Sequence, residues 1–184
     1  MRSQFGKDYD AEVQIVNLIE VEKRAETWGN RIHSPFAAES DNISWKTVRY
    51  KPGAFSIPHY HAKSEAGYYV DFISEAGVKR ELTAYIGWPI SEAKVYKITE
   101  PTIILTPAHI PHTFENTGDG ELFLLHTFSP PWFKDFGQSM DTYDLMTQTY
   151  FSDGDEYSKH ARETTEKYPT FDALCEELKA RGIY

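Results

Sequence analysis

The sequence predicts a mainly β chain, folded as an antiparallel sandwich or barrel, and three observations carry that expectation. Six short runs between 43 and 129 are rich in β-branched and aromatic residues: ISWKTVRY, AGYYVDFIS, VKRELTAYIGW, AKVYKIT, TIILT and ELFLLHTF. Turn signals separate them: KPG, SEAG, WPISE and NTGDG. A clear helical stripe is confined to the C-terminus.

Taken in order, residues 1–42 form an extension that packs on the barrel. DAEVQIVNLIEVEKRAETWG fits a helix opening at Asp10 with an acidic first turn, and equally a strand rich in Val and Ile. GNRIHSPFAAESDN reads as loop. Residues 43–129 form the barrel. Asn116 to Gly120 is a hairpin turn, and in the strand after it Leu122, Leu124, His126 and Phe128 share one face. Residues 130–184 hold an aromatic, irregular segment up to Phe151, read as packing or a lid, then a polar stretch. A C-terminal helix follows, with Phe171, Leu174, Cys175 and Leu178 on one stripe and Gly182 at its stop. Cys175 is therefore a small core residue, with no basic neighbour to lower its pKa.

Length and composition narrow the function. At 184 residues the chain suits one domain with extensions, and 40% hydrophobic and 15% aromatic content supports a packed core. A net charge of −9 repels nucleic acid and anionic lipid, so neither is an expected partner. No apolar run approaches the ~18 residues of a membrane span. The opening MRSQFGKDYDAEV lacks a signal-type apolar stretch, and a single cysteine forms no internal disulfide. The expectation is a cytoplasmic protein, so the Asn42-Ile43-Ser44 glycosylation pattern reads as chance. No GxSxG, Walker loop, GxGxxG or HExxH is present, which removes support for serine-hydrolase and nucleotide chemistry.

The histidines carry the chemistry. GAFSIPHYHAKSE places His59 and His61 two apart, with Glu65 four further on. On a strand, residues i and i+2 face the same way, so HxH presents two imidazoles side by side. If the turn preserves parity, Glu65 joins them. Two histidines and a carboxylate suit Fe(II), and also Mn, Ni or Zn. PAHIPH adds His112 from another strand. The competing reading is a set of strand histidines with no common partner.

These two segments resemble the cupin motifs. The first motif runs Gly, five residues, HxH, three or four residues, Glu, six residues, Gly. Gly53, His59, His61 and Glu65 match it, with Phe72 at the closing Gly. The second runs Gly, five residues, PxG, two residues, His, three residues, Asn. Pro107, His112 and Asn116 match it, with Pro101 and His109 at the two glycines. PTIILTPAHIPHTF is also similar to bacterial cupins of unassigned activity. The resemblance covers about 43–129, and its departures fall on turn glycines, not on ligand positions.

The resemblance implies a single cupin barrel, or double-stranded β-helix, and frequently a homodimer. It implies one divalent metal held by His59, His61, Glu65 and His112, with one or two positions left open. Iron is the leading metal, with Zn, Mn or Ni as alternatives. Cupins include dioxygenases, decarboxylases, isomerases, lyases and binding proteins. The leading expectation is an Fe(II) dioxygenase acting on a small oxygen-rich molecule. Non-redox metal catalysis and a non-catalytic binding or sensing role are the alternatives.

Four more residues are candidates. His126 lies on an apolar strand face, as a pocket acid or base or as a satisfied core histidine. Tyr69, with Asp71, shares parity with Glu65 and so extends inward beside it. Arg49 precedes the KPG turn, either holding a substrate carboxylate or lying on the surface. His109 is a substrate-binding candidate or a solvated turn histidine.

Overall fold

Strand by strand, the chain crosses back and forth between two facing sheets. The computed structural model describes residues 16–28, 31–39, 42–73, 76–130 and 142–184. Ahead of the barrel come a short helix α1 (Leu18–Glu22), β1 (Glu26–Trp28) and β2 (Arg31–Glu39). The central strands are β3 (Ser44–Tyr50), β4 (His59–His61), β5 (Glu65–Ile73), β6 (Leu82–Ile86), β7 (Lys94–Ile98), β8 (Thr102–Thr106), β9 (His112–Asn116) and β10 (Glu121–Ser129). A hairpin of β11 (Thr142–Asp144) and β12 (Thr149–Phe151) precedes helices α2 (Gly154–Lys167) and α3 (Phe171–Ala180).

One sheet has the order β1-β2-β3-β10-β5-β8 and the other β12-β11-β4-β9-β6-β7. Every pairing is antiparallel. From β3 to β6, and again from β8 to β11, each strand lies in the sheet opposite its predecessor. That alternation wraps the sheets around a shared core. Along β5, Ala66, Tyr68, Val70 and Phe72 are buried, whereas Glu65, Tyr69 and Ile73 are exposed. Opposite them on β10, Leu122 and Leu124 are buried. Val48, Ile57, Leu82 and Phe114 complete the centre of this core. Truncating one such side chain to alanine costs roughly 2–5 kcal/mol.

The barrel extends beyond 43–129 on both sides. The loop reading of GNRIHSPFAAESDN is corrected: Arg31–Glu39 is strand β2, paired with β1 and β3. Pro35 suggests a loop because it cannot donate to a ladder. The strand accommodates it with register shifts between His33 and Phe36 and between Phe36 and Ala38. Of the ambiguous DAEVQIVNLIEVEKRAETWG, the described part forms α1, capped by the Asn17 side chain, and β1. Its residues 10–15 lie outside the described residues, as do 131–141 of the aromatic segment. The rest of that segment is the β11–β12 hairpin, which adds to β4.

The polar stretch after Phe151 is helix α2. Asp153 caps it by accepting from the Asp155 and Glu156 amides, and Tyr157, Ala161, Thr164 and Thr165 form its buried stripe. Helix α3 matches its expectation, with Phe171, Leu174, Cys175 and Leu178 buried and Gly182 at a φ of +68° just past the end. Burial pushes the Cys175 thiol up to about 11, so it is a core residue and no nucleophile. No helix among the described residues is long and apolar enough to cross a membrane.

Candidate metal centre

Strand β4 is only three residues long, and its burial follows the strand period. His59 and His61 point inward and Tyr60 lies between them, partly exposed. Strand β9 pairs with β4 so that His112 stands directly opposite His59. One imidazole nitrogen from each of His59, His61 and His112 lies within 4.8 Å of the other two. The ring centroids are 4.5 to 5.5 Å apart.

Backbone carbonyls set the ring orientations. His59 Nδ1 lies 2.7 Å from the Ile57 carbonyl, and His112 Nδ1 lies 2.9 Å from the Ile110 carbonyl. A carbonyl only accepts, so each Nδ1 carries the proton and each Nε2 keeps a lone pair. This is the support that metal-ligating histidines require. Burial also keeps the rings neutral. His112 is lowered to about 4, chiefly by desolvation; His59 is lowered by burial and then by the neighbouring His112, and His61 by burial and then by His59 and His112. Three neutral imidazoles, each with a nitrogen within 4.8 Å of the other two, form a group that could hold a divalent metal ion.

Tyr68 reaches the same point from β5. Its hydroxyl donates to His112 Nε2 at 2.8 Å and lies 3.4 Å from His61 Nε2. His126 on β10 sits in register with Tyr68, the two rings 4.7 Å apart. Its Nε2 is buried and has no hydrogen-bond partner among the described residues. Tyr157 of α2 approaches His59 at 5.9 Å between ring centroids. Together they enclose a cavity of about 40 Å³, walled also by Phe114 and Phe128.

Three expected members lie elsewhere, and His109 contributes differently. Glu65 is exposed at the start of β5, opposite Ser129, outside the histidine group. Residues 62–64 carry the chain from one sheet to the other, so strand parity does not extend from His61 to Glu65. Tyr69 follows Glu65 outward, and its hydroxyl bonds the partly exposed Asp71. The inward position belongs to Tyr68. Arg49 lies on the outer face of β3, where it donates to Glu121 at 2.9 Å and stands 3.8 Å from Glu22. It is engaged in ion pairs and does not line the cavity. Its neighbours in sequence and space, Lys46 and Arg31, do line it. Neither was singled out by the sequence, and the signal that could have found Lys46 is its even spacing from Val48 and Tyr50.

His109 has an exposed side chain, and its backbone does the positioning. It adopts a φ of +63°, and its amide donates to the His61 carbonyl at 2.7 Å. The second cupin motif has glycine here, the residue for which that conformation is free of strain. His109→Gly is expected to raise stability by about 0.5–1 kcal/mol, a shift of roughly 1–4 °C in Tm, with metal content unchanged. A lower melting temperature would show that the His109 ring, 5.6 Å from Tyr60, matters more than its backbone strain.

No family model matches the chain, and no curated protein matches it. Solved structures do. KdgF from Halomonas sp. superposes with a TM-score of 0.50 at 15% identity, over 64% of this chain and 94% of that one. An uncharacterised conserved protein with a double-stranded β-helix domain from Klebsiella pneumoniae gives 0.50 at 17%, over 65% and 91%. A predicted oxalate decarboxylase from Thermotoga maritima gives 0.51 at 16%, over 64% and 99%. The likeness is one of fold: this chain has the double-stranded β-helix fold of the cupins. Within that fold it holds a three-histidine group that could bind a metal.

Proposed function

We propose that the protein is a metal-dependent enzyme acting on a small oxygen-rich molecule, with iron-dependent dioxygenation as its leading reaction. The observation that carries this reading is the convergence of His59, His61 and His112, two of them held by carbonyls in the ligating tautomer. Bound there, the metal would supply Lewis acidity and, as iron, an electron path to dioxygen. The chain's own residues do the rest. Phe114, Phe128 and Tyr157 give the cavity an aromatic wall. The Tyr68 hydroxyl, at the meeting point of the ring nitrogens, can give a proton to a substrate oxygen. His126, half-buried and lowered by desolvation, has a buried Nε2 available as a hydrogen-bond partner within the same space.

One observation favours a second reading. With Glu65 outside the group, the three histidines are all neutral, a set that suits zinc or nickel as well as iron. Non-redox isomerase, decarboxylase or lyase chemistry then follows from carbonyl polarisation.

Metal analysis of untagged protein, with Glu65→Ala beside it, tests the reading. About one equivalent of metal is expected in both, because Glu65 is outside the group. Dioxygen uptake with small hydroxy- and oxo-compounds then separates the reactions. Uptake by the iron form, lost on zinc replacement, supports dioxygenation. Turnover that survives the replacement supports the second reading. Absence of metal, even after reconstitution, would sink both and favour a ligand-binding role.

A further inference from the structure

The two sheets end in four outer strands, and one of them is built differently from the rest. β1 and β12 are three residues long and lie against α2. β7 is longer, and its sequence KVYKI carries Lys94 and Lys97, charges that discourage a further strand from adding to an edge. β8 reads TIILT and carries no charge. It pairs with β5 on one side, and on the other with no strand among the described residues. Its outward side chains, Ile103 and Leu105, are 75% and 65% exposed, and Ile104 packs towards the core between them. Such an edge offers a row of backbone donors and acceptors beside two large apolar side chains.

We infer that β8 pairs antiparallel with β8 of a second copy of this chain, about a two-fold axis at Ile104. A two-fold contact must be complementary to itself, and this strand is. PTIILTP, from Pro101 to Pro107, reads nearly the same in both directions. With Ile104 on the axis, Ile103 meets the partner's Leu105, and Thr102 meets the partner's Thr106. Apolar then faces apolar and hydroxyl faces hydroxyl, the matches that stabilise cross-strand neighbours. Proline has no N–H, so Pro101 and Pro107 bound the ladder at both ends and disfavour a slipped register. The inference is independent of the metal reading.

The surroundings of β8 extend the contact. Stable dimers bury roughly 800 Å² on each partner, more than one short paired strand provides. Beside β8 lies an open groove of about 410 Å³, lined by Ile86, Tyr96, Ile98 and Ile110 and by no charged residue among the described ones. Opposed residues of an antiparallel pair share a face, so the partner's Ile104 turns towards this groove. On the outer face Tyr69 of β5 stands opposite Ile103 and is itself exposed, which widens the apolar strip. Each copy carries a net charge of −9, so association through an uncharged strip should tighten as salt screens the mutual repulsion.

The test is sedimentation velocity of the full chain at micromolar concentration, with hydrogen exchange of the β8 amides read beside it. The parent is expected to sediment as a dimer that tightens as salt rises. Ile103→Lys with Leu105→Lys, and Ile103→Glu with Leu105→Glu, each set like charges opposite one another across the axis. Each double variant is expected to weaken association at least tenfold. Both positions are exposed, so circular dichroism and metal content should match the parent. An equimolar mixture of the two double variants should restore the dimer, because opposite charges then meet. A monomeric parent would overturn the inference, and slow exchange of its β8 amides would make a segment of this same chain the occupant of the edge. Unchanged dimerisation by both double variants, a dimer that weakens with salt, or a mixture that stays monomeric would overturn it equally.

Discussion

Replacing His112 by alanine is expected to strip the protein of its metal. The residue supplies one of the three candidate ligating nitrogens found among the described residues, and it is the one that comes from β9, across the sheet from His59. Two imidazoles from one short strand cannot hold a divalent ion as three do. The loss should therefore exceed the ~10- to 100-fold that changes in supporting partners usually cause. His59→Ala should behave alike. His112→Ala also leaves the buried Tyr68 hydroxyl without its 2.8 Å acceptor, which adds a stability cost of about 1–3 kcal/mol. Plasma mass spectrometry of metal per chain, on folded protein checked by circular dichroism, reads the result. Full metal content in His112→Ala would mean that the three rings do not form one centre.

Metal-free protein is expected to lose stability steeply as the pH falls below about 6.5. His112 stays neutral in the folded state down to about pH 4, whereas in the unfolded chain a histidine takes up its proton near 6.5. Between those values the unfolded state binds more protons, so acidification favours unfolding. At one pKa unit per ~1.4 kcal/mol, His112 alone withdraws about 2 kcal/mol by pH 5. His59, His61 and His126 are also lowered by burial and act in the same direction. Stability from these groups is complete above pH 6.5 and is lost as the pH drops towards their folded values. Urea midpoints measured at pH 7.5, 6 and 5 should fall in that order. A flat profile would show that the rings are hydrated or charged in the folded state. Added zinc should hold the midpoint up at pH 7.5 and lose its effect on acidification, since protons compete for the same nitrogens.

Much of this site is legible in the sequence because it depends on local geometry. The two-residue period of a strand is intrinsic to the backbone, so HYH alone implies two imidazoles on one face. His126 is identified in the same way, from its parity with Leu122, Leu124 and Phe128. The α3 stripe, the Gly182 stop and the buried role of Cys175 follow from the 3.6-residue period and a local cap. Even the His109 turn is visible, as a non-glycine residue at a glycine position of the motif.

Tertiary structure decided what lies across a change of sheet. Parity holds only while one strand continues, and between His61 and Glu65 the chain leaves one sheet for the other. That crossing turns Glu65 and Tyr69 outward and brings Tyr68 to the metal nitrogens, a reversal no spacing rule could supply. Arg49 and Lys46 illustrate the same limit. Which face of β3 meets the cavity depends on its pairing with β2 and β10. Strand β2 itself forms because β3 offers it a partner, with register shifts that accommodate Pro35. Helix α2 has a polar sequence and gains its place from one narrow buried stripe and an aspartate cap. The sequence by itself determined the central strands between 43 and 129, the pair of histidines and the last helix, because those rest on patterns within a few residues. Topology alone decided which of the remaining polar side chains face the enclosed space, because that depends on which strands become neighbours.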